Sequence, residues 1–164
     1  MSDLLASAPP EVGVDRVSAL LAAEYGLSGG LVRLTSERDF NLRLDAGGRR
    51  FVVKFANKAE PRGVTDFQTS ALLYLEDKGL PVPCVMRCVS GAAAVETDFG
   101  LMRVLTYLEG RPMHEVPRTP ALAAAMGAMA ARVTRGLAGF SHPAADYVLQ
   151  WDIRRAGALR PMLP

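Results

Sequence analysis

A chain of 164 residues with 49% apolar and 22% charged residues fits one ordinary globular domain and is short for a two-lobed enzyme. Its 19 basic and 17 acidic residues leave a net charge of +2 and alternate in sign without blocks, which argues against nucleic acid as a partner. The longest nearly uncharged stretch, residues 121–131, is about half the ~20 residues that span a bilayer, and the start lacks a signal region, so no membrane partner and a cytoplasmic location are expected.

In chain order, residues 14–25 place Val14, Val17, Leu20 and Leu21 at helical spacing, and Gly26 is the stop. Residues 31–34 and 41–45 read as strands around the polar connection Thr35-Ser-Glu-Arg-Asp39. The turn Ala46-Gly-Gly-Arg49 leads to a third strand over 51–56, rich in β-branched and aromatic residues. A helix over 64–78 follows, striped by Val64, Phe67, Ala71, Leu72 and Leu75, and is ended by Lys78, Gly79 and the prolines at 81 and 83. Segments 84–89, 93–97 and 101–108 alternate well enough for three more strands, and Glu109-Gly-Arg-Pro112 reads as a linker. Thr119 caps a helix with Pro120 in its first turn that runs to about Leu137. Leu122, Met126, Met129, Val133 and Leu137 spread around that helix, which predicts burial on more than one side. Trp151-Asp-Ile-Arg-Arg155 looks like the opening of a further helix. The order describes an α+β fold, an antiparallel sheet with one inserted helix followed by the start of a helical part.

Cys84 and Cys88, on one strand, would lie roughly 13 Å apart, too far to bridge. His114 and His142 have no ligand spacing, so no metal site is expected among these residues.

Two residues stand out against their surroundings. Lys54 interrupts an apolar strand on the face it shares with Val52 and Ala56, where it either snorkels to solvent or holds a phosphate in a cleft. Gln68 falls inside the apolar stripe of the second helix, and its buried amide needs a partner; Lys54 is the expected one, with Asp66 turned to the outer face. The connection over 35–41 offers hydroxyls and backbone amides that can fold over phosphates. Neither the P-loop pattern nor a Gly-x-Gly-x-x-Gly fingerprint occurs.

The ordered set Ser36-Glu-Arg-Asp-Phe-Asn-Leu42, Phe51-Val-Val-Lys-Phe-Ala56, Asp66-Phe-Gln68, Gly79-Leu-Pro-Val-Pro83 and Leu105-Thr-Tyr-Leu-Glu-Gly-Arg-Pro112 resembles the aminoglycoside phosphotransferase and choline kinase family, nearest its hydroxylysine-kinase-like branch. The similarity covers about residues 14–153. The resemblance implies a protein-kinase-like nucleotide-binding lobe over 1–108, a hinge or linker over 109–118, and over 119–164 the start of a truncated helical lobe. It implies ATP or GTP with Mg2+ as cofactor and a small hydroxylated substrate as the other partner. Lys54 takes the place of the phosphate-binding lysine, and Ser36, Arg38 and Asn41 belong to the phosphate-covering loop. Thr106, Tyr107 and Leu108 form the hinge that meets the base. Gln68 stands where many members carry glutamate. The family's His-Gly-Asp-x-x-x-x-Asn motif and later metal-binding aspartate are not found here, and His142-Pro-Ala-Ala-Asp146 does not replace them. No catalytic residue is therefore assigned, the isolated chain is expected to be inactive, and self-association through the apolar helix 120–137 is expected. The alternative is a non-catalytic, kinase-like regulatory module; an unrelated α+β domain with a surface Lys54 is a third reading.

Overall fold

The computed structural model describes residues 7–148 and 152–162. Strands β1 (Gly30–Leu34), β2 (Phe40–Ala46), β3 (Arg49–Phe55), β4 (Val95–Thr97) and β5 (Gly100–Thr106) form one antiparallel sheet in the order β1-β2-β3-β5-β4. Helix α1 (Val14–Tyr25) precedes the sheet, α2 (Arg62–Asp77) is inserted after β3, and α3 (Pro120–Gly136) follows it. The α+β expectation holds, element by element, with one exception among the strands.

Local chemistry explains the meander. Ala46 and Arg49 are cross-strand partners, so only Gly47 and Gly48 make the β2–β3 turn, at φ 56° and 72°. A two-residue hairpin loop with both centres left-handed matches the strand twist, and glycine adopts it without strain. The exception is segment 84–89. Instead of a strand it makes a single bridge, Val85 to Leu105, with Met86 N donating to Val104 O at 2.9 Å and Thr106 N to Cys84 O at 2.9 Å. Pro81 and Pro83 lead into it without amide donors, and it shares the free edge of β5 with β4. Both cysteines are free thiols.

The two faces of the sheet differ. On one, Val17 and Leu21 of α1 are buried against Leu44, Phe51, Val53 and Val104. Each such side chain contributes about 1.5–3 kcal/mol by leaving water, so this face is the core. On the other, the register lines up Asn41, Lys54 and Arg103 in one row across β2, β3 and β5. Helix α2 meets this face at Arg103 of β5, while Arg43, Val52 and Lys54 are half-buried.

Thr119 caps α3 as expected, its Oγ1 accepting from Leu122 N at 3.1 Å, with Pro120 in the first turn. The expected burial on more than one side is not found. Gly136 is the one buried residue of α3, while Met126 and Met129 are 45% and 38% exposed. The cause is the geometry of attachment, which involves only the end of the helix. Gly136 approaches so closely that a Cβ there would lie 2.9 Å from Leu75 Cδ2, and Lys78 Nζ donates to Gly136 O at 2.7 Å. Tyr74, Phe67 and Phe140 add ring contacts at 5.1 Å and 5.9 Å. The last described segment, Ile153–Met162, is a 3-10 helix rather than an α-helix; Trp151 of the expected helical start lies outside the described residues.

Candidate functional site

Lys54 sits at the centre of the half-open face. Its Nζ lies 3.2 Å from Asp39 Oδ2 and donates to Asn41 Oδ1 at 3.1 Å, so the amine is held by the connection between β1 and β2 and by the strand that follows it. Its side chain is 23% exposed, which excludes both a sealed core position and a lysine free in solvent. Of the loop residues singled out by sequence, Asn41 therefore meets Lys54 directly. Ser36 is half-buried on the loop, and Arg38 gives its carbonyl to Asn57 while its buried Nε has no partner among the described residues.

Gln68 is exposed rather than buried as expected, and its amide meets a different cation. Its Oε1 accepts from Arg103 Nη2 at 3.0 Å rather than from Lys54. The contact between α2 and the sheet is made by Arg103 of β5, the strand beside Lys54's own β3. Arg103 Nη1 also donates to Thr69 Oγ1 at 3.0 Å and to Thr65 O at 3.4 Å. The residue is 2% exposed, and no carboxylate is ion-paired with it among the described residues. Burial opposes its charge and lowers its pKa, with Asp39 the foremost group acting the other way.

Sequence reasoning missed Arg103, although a charge inside the run Leu101-Met-Arg-Val-Leu105 is the same signal that marked Lys54. It also missed Asn57. This buried amide donates through Nδ2 to Ala8 O and Arg38 O, each at 3.1 Å, and accepts through Oδ1 from Ser7 Oγ at 3.0 Å. Its backbone N–H donates to Asp39 Oδ1 at 3.3 Å. Asn57, two residues after β3, thus pins the 35–41 connection to the segment before α1. Glu60, half-buried nearby, has its pKa raised chiefly by burial and next by Asp39, while Arg38, Arg103 and Lys54 pull it down.

The expected hinge lies farther along the same strands. Phe51 pairs with Thr106, three positions from the Lys54–Arg103 pair, which sets the hinge about 10 Å from the amine at ~3.3 Å per residue. Thr106 N donates to Cys84 O at 2.9 Å and Tyr107 N to Arg50 O at 3.1 Å, whereas Leu108, 52% exposed, has no partner for its N–H among the described residues. Arg50 reaches across to Glu109 with bonds of 2.9 Å and 3.1 Å, fixing the start of the linker. Among the described residues no group of three or more histidines, cysteines and carboxylates is placed to hold a metal ion, and no helix is long and apolar enough to cross a membrane.

A half-open sheet face bearing a held lysine, with the strand end at Thr106 about 10 Å away and the exposed Leu108 two residues beyond it, can grip a ligand with a phosphate at one end and a flat polar group at the other. The model of the phosphotransferase enzyme family matches residues 30–163. The chain belongs to that family. Among curated members it is 30% identical over 146 residues to hydroxylysine kinase of Danio rerio and 29% identical over 153 residues to that of Bos taurus. Each match takes in 82% of this chain and 41% of the relative, so the chain spans about two fifths of their length. Among solved structures, spectinomycin phosphotransferase in complex with ADP and spectinomycin superposes with a TM-score of 0.60 at 12% identity, over 80% of this chain and 39% of that one. The microcompartment-associated aminopropanol kinase does so at 0.62 and 16%, over 87% and 46%. The kinase-like fold of this chain is thereby shown.

Proposed function

We propose that the chain is the nucleotide-binding part of an ATP-dependent phosphotransferase that acts on a hydroxyl of a small, amine-bearing metabolite. In this reading the residues up to 108 form the nucleotide-binding lobe, 109–118 the hinge, and 119–164 the start of the helical lobe. Lys54 grips the phosphates, with Ser36, Arg38 and Asn41 on the covering loop. Since Thr106 and Tyr107 already spend their N–H groups, Leu108 is the residue that meets the base. ATP and GTP are both accommodated by a backbone contact of this kind. Magnesium and the groups that activate the acceptor belong to the part of the relatives' length that this chain does not span, so these residues alone bind nucleotide without turning it over. Relatives named for hydroxylysine and aminopropanol support the acceptor class. The exposed methionines of α3 support self-association through residues 120–137, and a monomer at high concentration in light scattering would exclude it.

The observation that carries the proposal is the amine of Lys54, a fifth exposed and held by the loop that would cover a phosphate. Thermal unfolding of the full chain with MgATP tests it. Ligand at about 100 times its dissociation constant adds ~2.7 kcal/mol to stability, and Lys54→Met removes that gain. No stabilisation by ATP or GTP overturns the reading and favours the non-catalytic module.

A further inference from the structure

The loop that holds Lys54 does so with a carboxylate, which is a competitor for any phosphate. Asp39 Oδ2 is 3.2 Å from Lys54 Nζ, and the two side chains are 21% and 23% exposed. Both are therefore out of bulk solvent yet open to a ligand. Asp39 is not a swinging side chain, because its other oxygen accepts from Asn57 N at 3.3 Å. Asn57, only 2% exposed, is in turn fixed through Ser7, Ala8 and Arg38. Next to the pair, Arg103 lies in register with Lys54 without a carboxylate of its own among the described residues, and Asp66 is taken by Arg62 at 3.0 Å. Glu60 is the other acid in reach of these cations. Asp39 is thus the carboxylate paired with Lys54, while Arg103 feels Asp39 and Glu60 without an ion pair to either.

We propose that Asp39 is an internal counter-ion of the nucleotide site that a phosphate must displace from Lys54, so that it weakens the binding of a polyphosphate and leaves that of a nucleoside unchanged. The inference rests on the nucleotide-binding reading given above. The physics is an exchange of partners. A single carboxylate offers the lysine one negative charge, whereas a diphosphate or triphosphate offers several and also reaches the field of Arg103, so only a multiply charged group wins. Asp39 released from Lys54 keeps its bond to Asn57 and its proximity to Arg103, which holds the loop in place over the ligand.

Asp39→Asn separates the charge from the scaffold, because the amide oxygen still accepts from Asn57 N. Calorimetric titration of the full chain with ATP, ADP and adenosine, first with chelator and then with magnesium, reads the effect. The variant is expected to bind ATP and ADP about fivefold more tightly, the scale of one partly exposed ionic contact, while adenosine affinity stays within about twofold. An ATP-to-adenosine affinity ratio that does not rise, or ATP binding that weakens, overturns the proposal and makes Asp39 a support for the loop or a metal partner. If adenosine and both nucleotides fail to bind even the unmutated chain, the nucleotide reading itself falls. Should Asp39→Asn not fold, Asp39→Ser keeps an acceptor and is read in the same way.

Discussion

The two faces of the sheet are made by the same strands and treat charge in opposite ways. Under α1, the inward positions of β2 and β3 are apolar and sealed from Phe40 to Ala46 and from Phe51 to Phe55, with only Arg49 at the turn exposed. Under α2, the corresponding row carries an amide, an ammonium and a guanidinium, one half-open and one fully buried. A face that only had to hold the fold together would not place two cations side by side, since each costs desolvation that its hydrogen bonds only partly return. The contrast separates stability from binding within one layer of structure. Substitutions that move one without the other test it.

The largest effect belongs to the sealed face. Phe51→Ala, at a ring 2% exposed, is expected to cost about 3–5 kcal/mol in urea unfolding, because the transfer energy and the cavity add. A loss under about 1 kcal/mol would mean that α1 is only loosely docked. Arg103 comes next. Arg103→Ala leaves Gln68 and Thr69 without their donor and empties a buried site, for a loss of about 2–4 kcal/mol. Arg103→Met refills most of the space and is expected to recover at least half of that. Equal losses for the two variants would show that the guanidinium hydrogen bonds, not the volume, hold α2 to the sheet. Lys54→Met, at a contact open to solvent, is expected to change stability by less than about 1 kcal/mol while abolishing nucleotide-dependent stabilisation. If it unfolds the chain instead, the half-open row is structural after all.

The same contrast explains what was legible in the sequence. Elements punctuated by glycine, proline or a cap were readable because their signals are local. Gly26 ends α1, Gly47 and Gly48 make a turn that other residues resist, and Thr119 with Pro120 starts α3. The segment after Pro83 was over-read as a strand, because alternation does not reveal that only the end of β5's edge is free for it. In the site, periodicity puts Gln68 in the buried stripe, whereas the structure leaves it exposed with only its amide oxygen on Arg103. Periodicity was silent about which of two cations waited there, a contact made across 35 residues of sequence separation. Asp39 and Asn57 escaped notice for a related reason, since polar loop residues look alike until the loops are brought together. The apolar character of α3 was read as burial, but apolar surface states a need for cover and not its location.

The smallest expected effect concerns Glu60, which feels the charges of both cations and of the loop carboxylate. Its pKa is raised, chiefly by burial and next by Asp39, so the folded chain holds this proton more tightly than the unfolded one. The sign follows from linkage: the folded state is favoured while Glu60 is protonated, and that contribution is lost as pH rises through the folded-state value. Glu60→Gln keeps the shape without the charge, and is expected to raise the melting temperature slightly at neutral pH and to leave it unchanged at low pH. Melting curves from pH 4 to pH 8 for both proteins read the difference. A variant that is less stable at neutral pH would show that Lys54, Arg38 and Arg103 depend on Glu60 for charge balance. Asp39 would then share its work with a second acid, and the field around the amine would be less positive than the single ion pair suggests.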